Sequence, residues 1–232
     1  MTKPPIILAI DVPDVDLAAQ WVRATSEYVS MIKLGLEFFI KCGSDGVRQL
    51  KEIADSEFFL DLKLHDIPNT VGKAAQNAAL LRPKFLTVHA SGGRDMIAAA
   101  VASAPEVDIT AVTILTSLTE DDLREIGFSH SPLDAAVGLA LLAKSAGARA
   151  IVCSPHETSA IRKAVGDDMV IITPGVRPVS SENDDQRRTM TPAEAIAAGA
   201  NYVVIGRPIT SHWNNGIEAM RRAADEIAQG LN

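Results

Sequence analysis

In the run Phe59-Leu60-Asp61-Leu62-Lys63-Leu64-His65-Asp66, charged residues interrupt an apolar segment at alternate positions. A strand has a side-chain period of two, so Leu60, Leu62 and Leu64 share one face while Asp61 and Lys63 share the other. With the leucines packed on helices, the carboxylate and the ammonium point together into the middle of a sheet or barrel. A buried ion pair stabilises a fold weakly at best, and a surface pair needs no apolar neighbours on both sides, so the pattern reads as chemistry more than as a structural bridge. An ammonium held away from water stabilises developing negative charge and carries a transferable proton, and a neighbouring carboxylate keeps it charged and oriented. Asp66 falls past the expected strand end, Pro68 fixes the following turn, and Thr70 is read as starting a helix.

Two further ionisable groups sit on apolar strands: Asp11 closes Ile6-Ile7-Leu8-Ala9-Ile10, and Lys33 lies within Met31-Ile32-Lys33-Leu34. Such groups resist burial unless paired, although Asp11 alone is equally a strand-end cap and Lys33 equally a snorkelling side chain. Near the C-terminus, Ile172-Thr173-Pro174-Gly175-Val176-Arg177-Pro178 and Val204-Ile205-Gly206-Arg207-Pro208 each join a glycine to an arginine. Glycine lets backbone approach an anion, and arginine offers a fork of donors that fits phosphate oxygens, so two such loops on consecutive strands read as a phosphate site. His89, in His89-Ala90-Ser91-Gly92-Gly93, either touches a ligand or braces a strand end, while His65 and His156 read as structural. No His, Asp and Glu grouping has metal-ligand spacing, neither Cys42 nor Cys153 has a recognisable partner base, and there is no Gly-x-Ser-x-Gly elbow.

These residues need a frame. Short β-branched runs at 6–11, 31–34, 58–64, 85–89, 109–115, 150–154, 170–174 and 202–206 read as strands. Ala-rich amphipathic segments at 17–25, 39–53, 71–81, 95–102, 132–146, 157–165, 192–198 and 217–230 read as the intervening helices. Eight β/α units predict an α/β chain folded as one (β/α)8 TIM barrel over residues 1–232. An open doubly wound sheet is the rival, but it calls for a Gly-rich turn after the first strand, where Asp11-Val12-Pro13-Asp14 stands. A barrel places catalytic groups at the C-terminal ends of its strands, where the residues above fall.

With 232 residues, 47% of them hydrophobic, the chain can bury a full core. A net charge of −7 without a basic stripe opposes a nucleic-acid partner and leaves room for a small anion bound locally. The opening residues lack a signal pattern and no apolar run is long enough for a membrane span, so the expectation is a cytoplasmic protein. Two cysteines far apart form no disulfide framework and read as packing thiols.

The run Asp61-Leu62-Lys63-Leu64-His65-Asp66-Ile67-Pro68-Asn69-Thr70 resembles the signature of the orotidine 5′-monophosphate decarboxylases, and motifs along essentially the whole chain agree with it. The resemblance implies cofactor-free decarboxylation of that nucleotide to uridine 5′-monophosphate in de novo pyrimidine biosynthesis. It implies that Asp11 and Lys33 hold the ribose hydroxyls, that Lys33, Asp61, Lys63 and Asp66 form an alternating charge array, and that Lys63 is the proton donor. Thr116, in Val112-Thr113-Ile114-Leu115-Thr116-Ser117, matches the position touching the pyrimidine, and Pro174 is counted with the substrate contacts. Arg177, Gln186, Gly206 and Arg207 match those around the phosphate, with Gln186 carried by a closing loop at 179–189. Also implied is a homodimer with shared active sites, in which Asp66 and Thr70 enter the neighbour's site. A Mg2+-dependent sugar-phosphate aldolase or β-keto acid decarboxylase shares the Asp-x-Lys-x-x-Asp strand, but the His65-Asp66-Ile67-Pro68-Asn69-Thr70 continuation and Gln186 argue against it. A non-catalytic nucleotide-binding barrel would not need all four array residues.

Overall fold

The apolar runs form the strands β1 (Ile6–Ile10), β2 (Met31–Leu34), β3 (Phe58–Leu64), β4 (Phe85–His89), β5 (Asp108–Val112), β6 (Ala150–Val152), β7 (Val170–Pro174) and β8 (Tyr202–Ile205). In the computed structural model, which describes residues 3–54, 56–177 and 190–231, each strand pairs in parallel with the next and β8 pairs back onto β1. The result is the expected closed TIM barrel. Its helices are α1 (Val15–Thr25), α2 (Leu36–Ile53), α3 (Pro68–Ala79), α4 (Arg94–Ser103), α5 (Glu120–Glu125), α6 (Pro132–Ser145), α7 (Thr158–Val165), α8 (Pro192–Ala197), α9 (Arg207–Thr210) and α10 (Ile217–Gln229). No helix among the described residues is long and apolar enough to cross a membrane.

The differences from the sequence reading have local causes. Helix α3 starts at Pro68 and not at Thr70, because a first-turn position needs no N–H and the proline ring presets the helical φ. Strand β5 ends at Val112, short of residue 115, because its neighbour β6 ends at Val152, whose carbonyl already takes the Thr113 N–H at 3.0 Å. Helix α5 was not anticipated, although Thr119 and Asp122 form a capping box that the sequence displays.

Alternation along the strands sorts the core into two layers. Ile7, Ala9, Met31, Phe59, Phe85, Ala150, Ile172 and Val204 fill the barrel, with Phe59 and Phe85 edge to face at 5.8 Å. Leu8, Ile10, Leu60 and Val88 face outward into the helix layer, and Leu62 and Leu64 pack against it, as the period of two predicts. The apolar plug is therefore topped by the next inward positions, Lys33, Asp61, Lys63 and Thr87. At the opposite end, Arg162 of α7 ties β7 to β8: its guanidinium donates to the carbonyls of Gly166, Met169 and Gly199 and to Asn201 Oδ1, which also accepts from Ile171 N–H.

Candidate active site

Asp61 is the centre of an ion chain across three adjacent strands. Lys63 Nζ lies 2.8 Å from both carboxylate oxygens of Asp61. Lys33 Nζ, from β2, lies 3.6 Å from Asp61 Oδ2 and 3.5 Å from Asp11 Oδ1 at the top of β1. Charges thus alternate Asp11, Lys33, Asp61, Lys63, running from exposed at Asp11 to buried at Asp61. Burial pushes the Asp61 carboxyl up, but Lys33 and Lys63, with hydrogen bonds from Lys63 and Thr87, outweigh it and leave the group below the usual carboxylate range.

The backbone departs from a regular strand here. β3 and β4 are in register at Phe59 with Phe85 and at Leu60 with Leu86, and register resumes at Leu64 with Val88. Asp61, Leu62 and Lys63 therefore bulge opposite Thr87 alone, and Lys63 takes the left-handed φ of 49°. Thr87 is fully buried; its hydroxyl accepts from Lys63 N–H at 2.7 Å and donates to Asp61 Oδ1 at 3.0 Å. Sequence reading missed it, because a threonine in Phe85-Leu86-Thr87-Val88-His89 is also an ordinary strand former.

Beside the array opens a cavity of about 210 Å³ whose wall joins Lys33, Asp61 and Lys63 to apolar Val112, Ile114, Val152 and Val204, with Thr116 and Pro174 also lining it. Among the described residues that volume accommodates one ring beside the array. Cys153 lines it too; its Sγ lies 3.9 Å from Thr158 Oγ1, and burial pushes the thiol up to about 12. Behind Cys153, Glu157 accepts from Ser154 N–H at 3.1 Å, and burial pushes its carboxyl up to about 7 against the lowering influence of that bond and of His156.

The anticipated anion loops stand at the same end of the barrel. Gly175 has a φ of 79°, which glycine adopts without strain, and Arg177 N–H bonds Met190 O at 3.1 Å. A Cβ on Gly206 would meet Ala9 Cβ at 3.3 Å and Asp11 Oδ2 at 3.6 Å, so glycine lets this loop close on β1. Arg207 opens α9 and is exposed. Gln186 and the loop 179–189 lie outside the described residues.

Asp66 and Thr70 do not join the array of their own chain. Both are exposed; Asp66 Oδ1 accepts from Ile67 N–H at 2.6 Å, and Thr70 stands in the first turn of α3. The His89 and His65 rings lie 5.3 Å apart and tilted by 37°, and burial with nearby His65 and Lys63 lowers the His89 pKa. Among the described residues no three His, Cys, Asp or Glu side chains are grouped as metal ligands.

A bidentate-held ammonium against an apolar-walled cavity is built to meet negative charge as it develops on a bound ring. Comparison with known proteins points the same way. The family described as "Orotidine 5'-phosphate decarboxylase / HUMPS family" matches residues 4–223. The orotidine 5′-phosphate decarboxylase of Thermobifida fusca is 50% identical over 95% of this chain and 95% of its own length. That of Moorella thermoacetica is 46% identical over 97% of this chain and 92% of its own length. The crystal structure of orotidine 5′-phosphate decarboxylase from Lactobacillus acidophilus superposes with a TM-score of 0.83 at 32% identity, covering 99% of this chain and 100% of that one.

Proposed function

The chain belongs to the orotidine 5′-phosphate decarboxylase / HUMPS family, and from that premise we propose that it converts orotidine 5′-monophosphate to uridine 5′-monophosphate and CO2, with Lys63 as the proton donor. The observation that carries this reading is Lys63, gripped by both oxygens of Asp61, facing an apolar-walled cavity sized for a ring.

Breaking the bond from C6 to the carboxylate leaves an electron pair in the ring plane, where the π system cannot take it up. An ammonium about 4 Å away contributes roughly 4 kcal/mol at an effective dielectric of 20. The Lys63 proton then moves to C6, and the neutral amine regains a proton from solvent. Asp61 and Lys33 hold Lys63 charged and aimed, and Asp61 lies where a substrate carboxylate would be repelled until it leaves as CO2. Lys33 and Asp11 serve the ribose, Thr116 and Pro174 the pyrimidine, and Arg177, Gln186, Gly206 and Arg207 the phosphate, whose distant binding energy organises the reacting end.

Asp66 and Thr70 act in the site of a partner subunit. Their exposure at the barrel mouth supports this, as do Leu36, Ile67 and Leu115, which follow the C-terminal ends of β2, β3 and β5 and are 48%, 65% and 36% exposed. Mixing Lys63→Ala and Asp66→Ala homodimers under subunit exchange should restore about a quarter of wild-type activity, since half the dimers then carry one intact site. Exchange without recovery removes the shared site.

The decisive assay follows loss of orotidine 5′-monophosphate absorbance in chelator-treated buffer. Asp61 already faces two ammonium groups, so a divalent cation there would meet like charge on both sides. Turnover that survives chelation is expected. Chelator-sensitive turnover of a sugar phosphate instead, or binding of uridine 5′-monophosphate with no turnover, overturns the reading.

A further inference from the structure

We infer that Thr87 is a positioning residue that fixes the proton-donor lysine through the backbone bulge of β3; the inference rests on the decarboxylase reading above. In a regular parallel pair the residues between Leu60 and Leu64 would find partners along β4, but here three residues face one. The left-handed backbone at Lys63 costs a non-glycine residue free energy and persists only where its surroundings hold it. Without the bulge, Asp61 and Lys63 would stand two residues apart on a flat face, their side chains rising side by side from the strand. With it, the Lys63 ammonium reaches back onto both oxygens of Asp61.

Thr87 supplies what the broken ladder lacks. The Lys63 N–H can only donate and an ionised Asp61 can only accept, so the single hydroxyl proton of Thr87 must point at Asp61 Oδ1 while its lone pair takes the amide. One buried hydroxyl thereby touches the backbone of the donor and the carboxylate of its holder together. It also helps keep the Asp61 carboxyl low, alongside the stronger influence of Lys33 and Lys63. Thr87 itself is fully buried and stands in register with Thr110 of β5, so water does not compete for its hydroxyl.

The test compares Thr87→Val, which keeps the shape and loses the hydroxyl, with Thr87→Ser, which keeps the hydroxyl. T87V should lose about 100-fold in kcat, as a misplacement of order 1 Å at a reacting group does. Its KM and its affinity for uridine 5′-monophosphate should stay near wild type, because the phosphate loops follow β7 and β8, away from Thr87 on β4, and Lys33 keeps its ion pair with Asp11. T87S should recover most of kcat. The acid limb of the kcat profile should move to higher pH in T87V and not in T87S, since the ionised Asp61 loses a donor, and a packing defect alone would leave it in place. A crystal structure of T87V should show Lys63 out of the left-handed region. Should T87V not fold, Thr87→Cys, similar in volume and a weak donor, is judged by the same criteria. Equal kcat in T87V and T87S, an unmoved acid limb, or an unchanged Lys63 backbone in T87V overturns the proposal. Absence of turnover in the wild type would instead refute the decarboxylase reading, and the Lys63 backbone in T87V still decides the role of Thr87.

Discussion

Two aspartates in this barrel each sit between two cations, and of the two Asp61 alone lines the apolar-walled cavity. Asp61, at the mouth, is held by Lys63 and Lys33; Asp108, at the N-terminal start of β5, is held by Lys84 at 2.8 Å and Arg149 at 3.2 Å. The carboxylates are almost equally covered, at 12% and 15% side-chain exposure. Their cations are not: Lys33 is 13% and Lys63 30% exposed, against 45% for Lys84 and 57% for Arg149. At the floor, water screens the cations, and the pairs join the N-terminal starts of neighbouring strands. At the mouth, the cations share a cavity with apolar walls, where the field of Lys63 acts on whatever ring enters. Ion pairing alone is therefore a poor sign of chemistry, and the solvent shielding of the cations is a better one.

The comparison breaks most visibly at Lys63. Lys63→Ala should lower kcat about 1,000-fold, corresponding to roughly 4 kcal/mol of carbanion stabilisation, while circular dichroism reports an intact barrel. A variant keeping more than a tenth of wild-type turnover would put the proton donor elsewhere.

Next in size is a crossed pair of arginines. Arg207→Ala at the mouth should raise KM and weaken uridine 5′-monophosphate binding by about 10- to 100-fold, since a charge-assisted hydrogen bond contributes roughly 1.5–3 kcal/mol. Its Tm should hardly move. Arg162→Ala should do the reverse, because its donors are spent on the carbonyls of Gly166, Met169 and Gly199 that tie β7 to β8. Losing them should cost about 2–4 kcal/mol of stability, read as a Tm drop of order 10 °C, with substrate affinity retained. Affinity lost in Arg162→Ala at unchanged Tm would erase the division between mouth and floor.

A buried carboxylate with no lysine or arginine ion pair among the described residues sharpens the same contrast. Burial pushes Glu157 up to about 7 from an ordinary 4.5, the opposite of Asp61. The folded state then binds more protons than the unfolded one between those values, so this group's contribution makes stability fall as pH rises from about 4.5 to 7, by at most about 3 kcal/mol. Glu157→Gln should flatten that part of the stability profile measured by urea unfolding. An unchanged slope would mean that Glu157 is ionised throughout.

The smallest effect is expected at the floor. Asp108→Asn should leave kcat and KM unchanged and shift stability by no more than about 1 kcal/mol, because solvent screens both of its cations. Any large loss of turnover would end the distinction between the two aspartates.

The inward face of β3 was legible because period-two alternation survives at Phe59, Asp61 and Lys63, and the barrel was legible because eight apolar runs alternate with amphipathic ones. The bulge was not legible: it depends on how many residues of β4 stand opposite, a non-local quantity, and nothing in Asp61-Leu62-Lys63 marks a left-handed backbone as a glycine would. Thr87 was hidden for the same reason, since its partners lie 24 and 26 residues away. Cys153 was read as a packing thiol, and it is one, but its place on the cavity wall depends on where β6 ends.

That sulfur has a consequence for how the protein meets oxidants and electrophiles. Thiolate, not thiol, attacks peroxide and alkylating agents, and Cys153, pushed up to about 12 and 1% exposed, stays protonated at any pH the barrel experiences. The cavity thus gains a soft, polarisable wall without gaining a reactive atom. Iodoacetamide or mild peroxide should leave catalysis untouched even though a cysteine lines the cavity, because burial, and next to it Glu157, hold the thiol protonated against the opposing influence of the Thr158 hydroxyl.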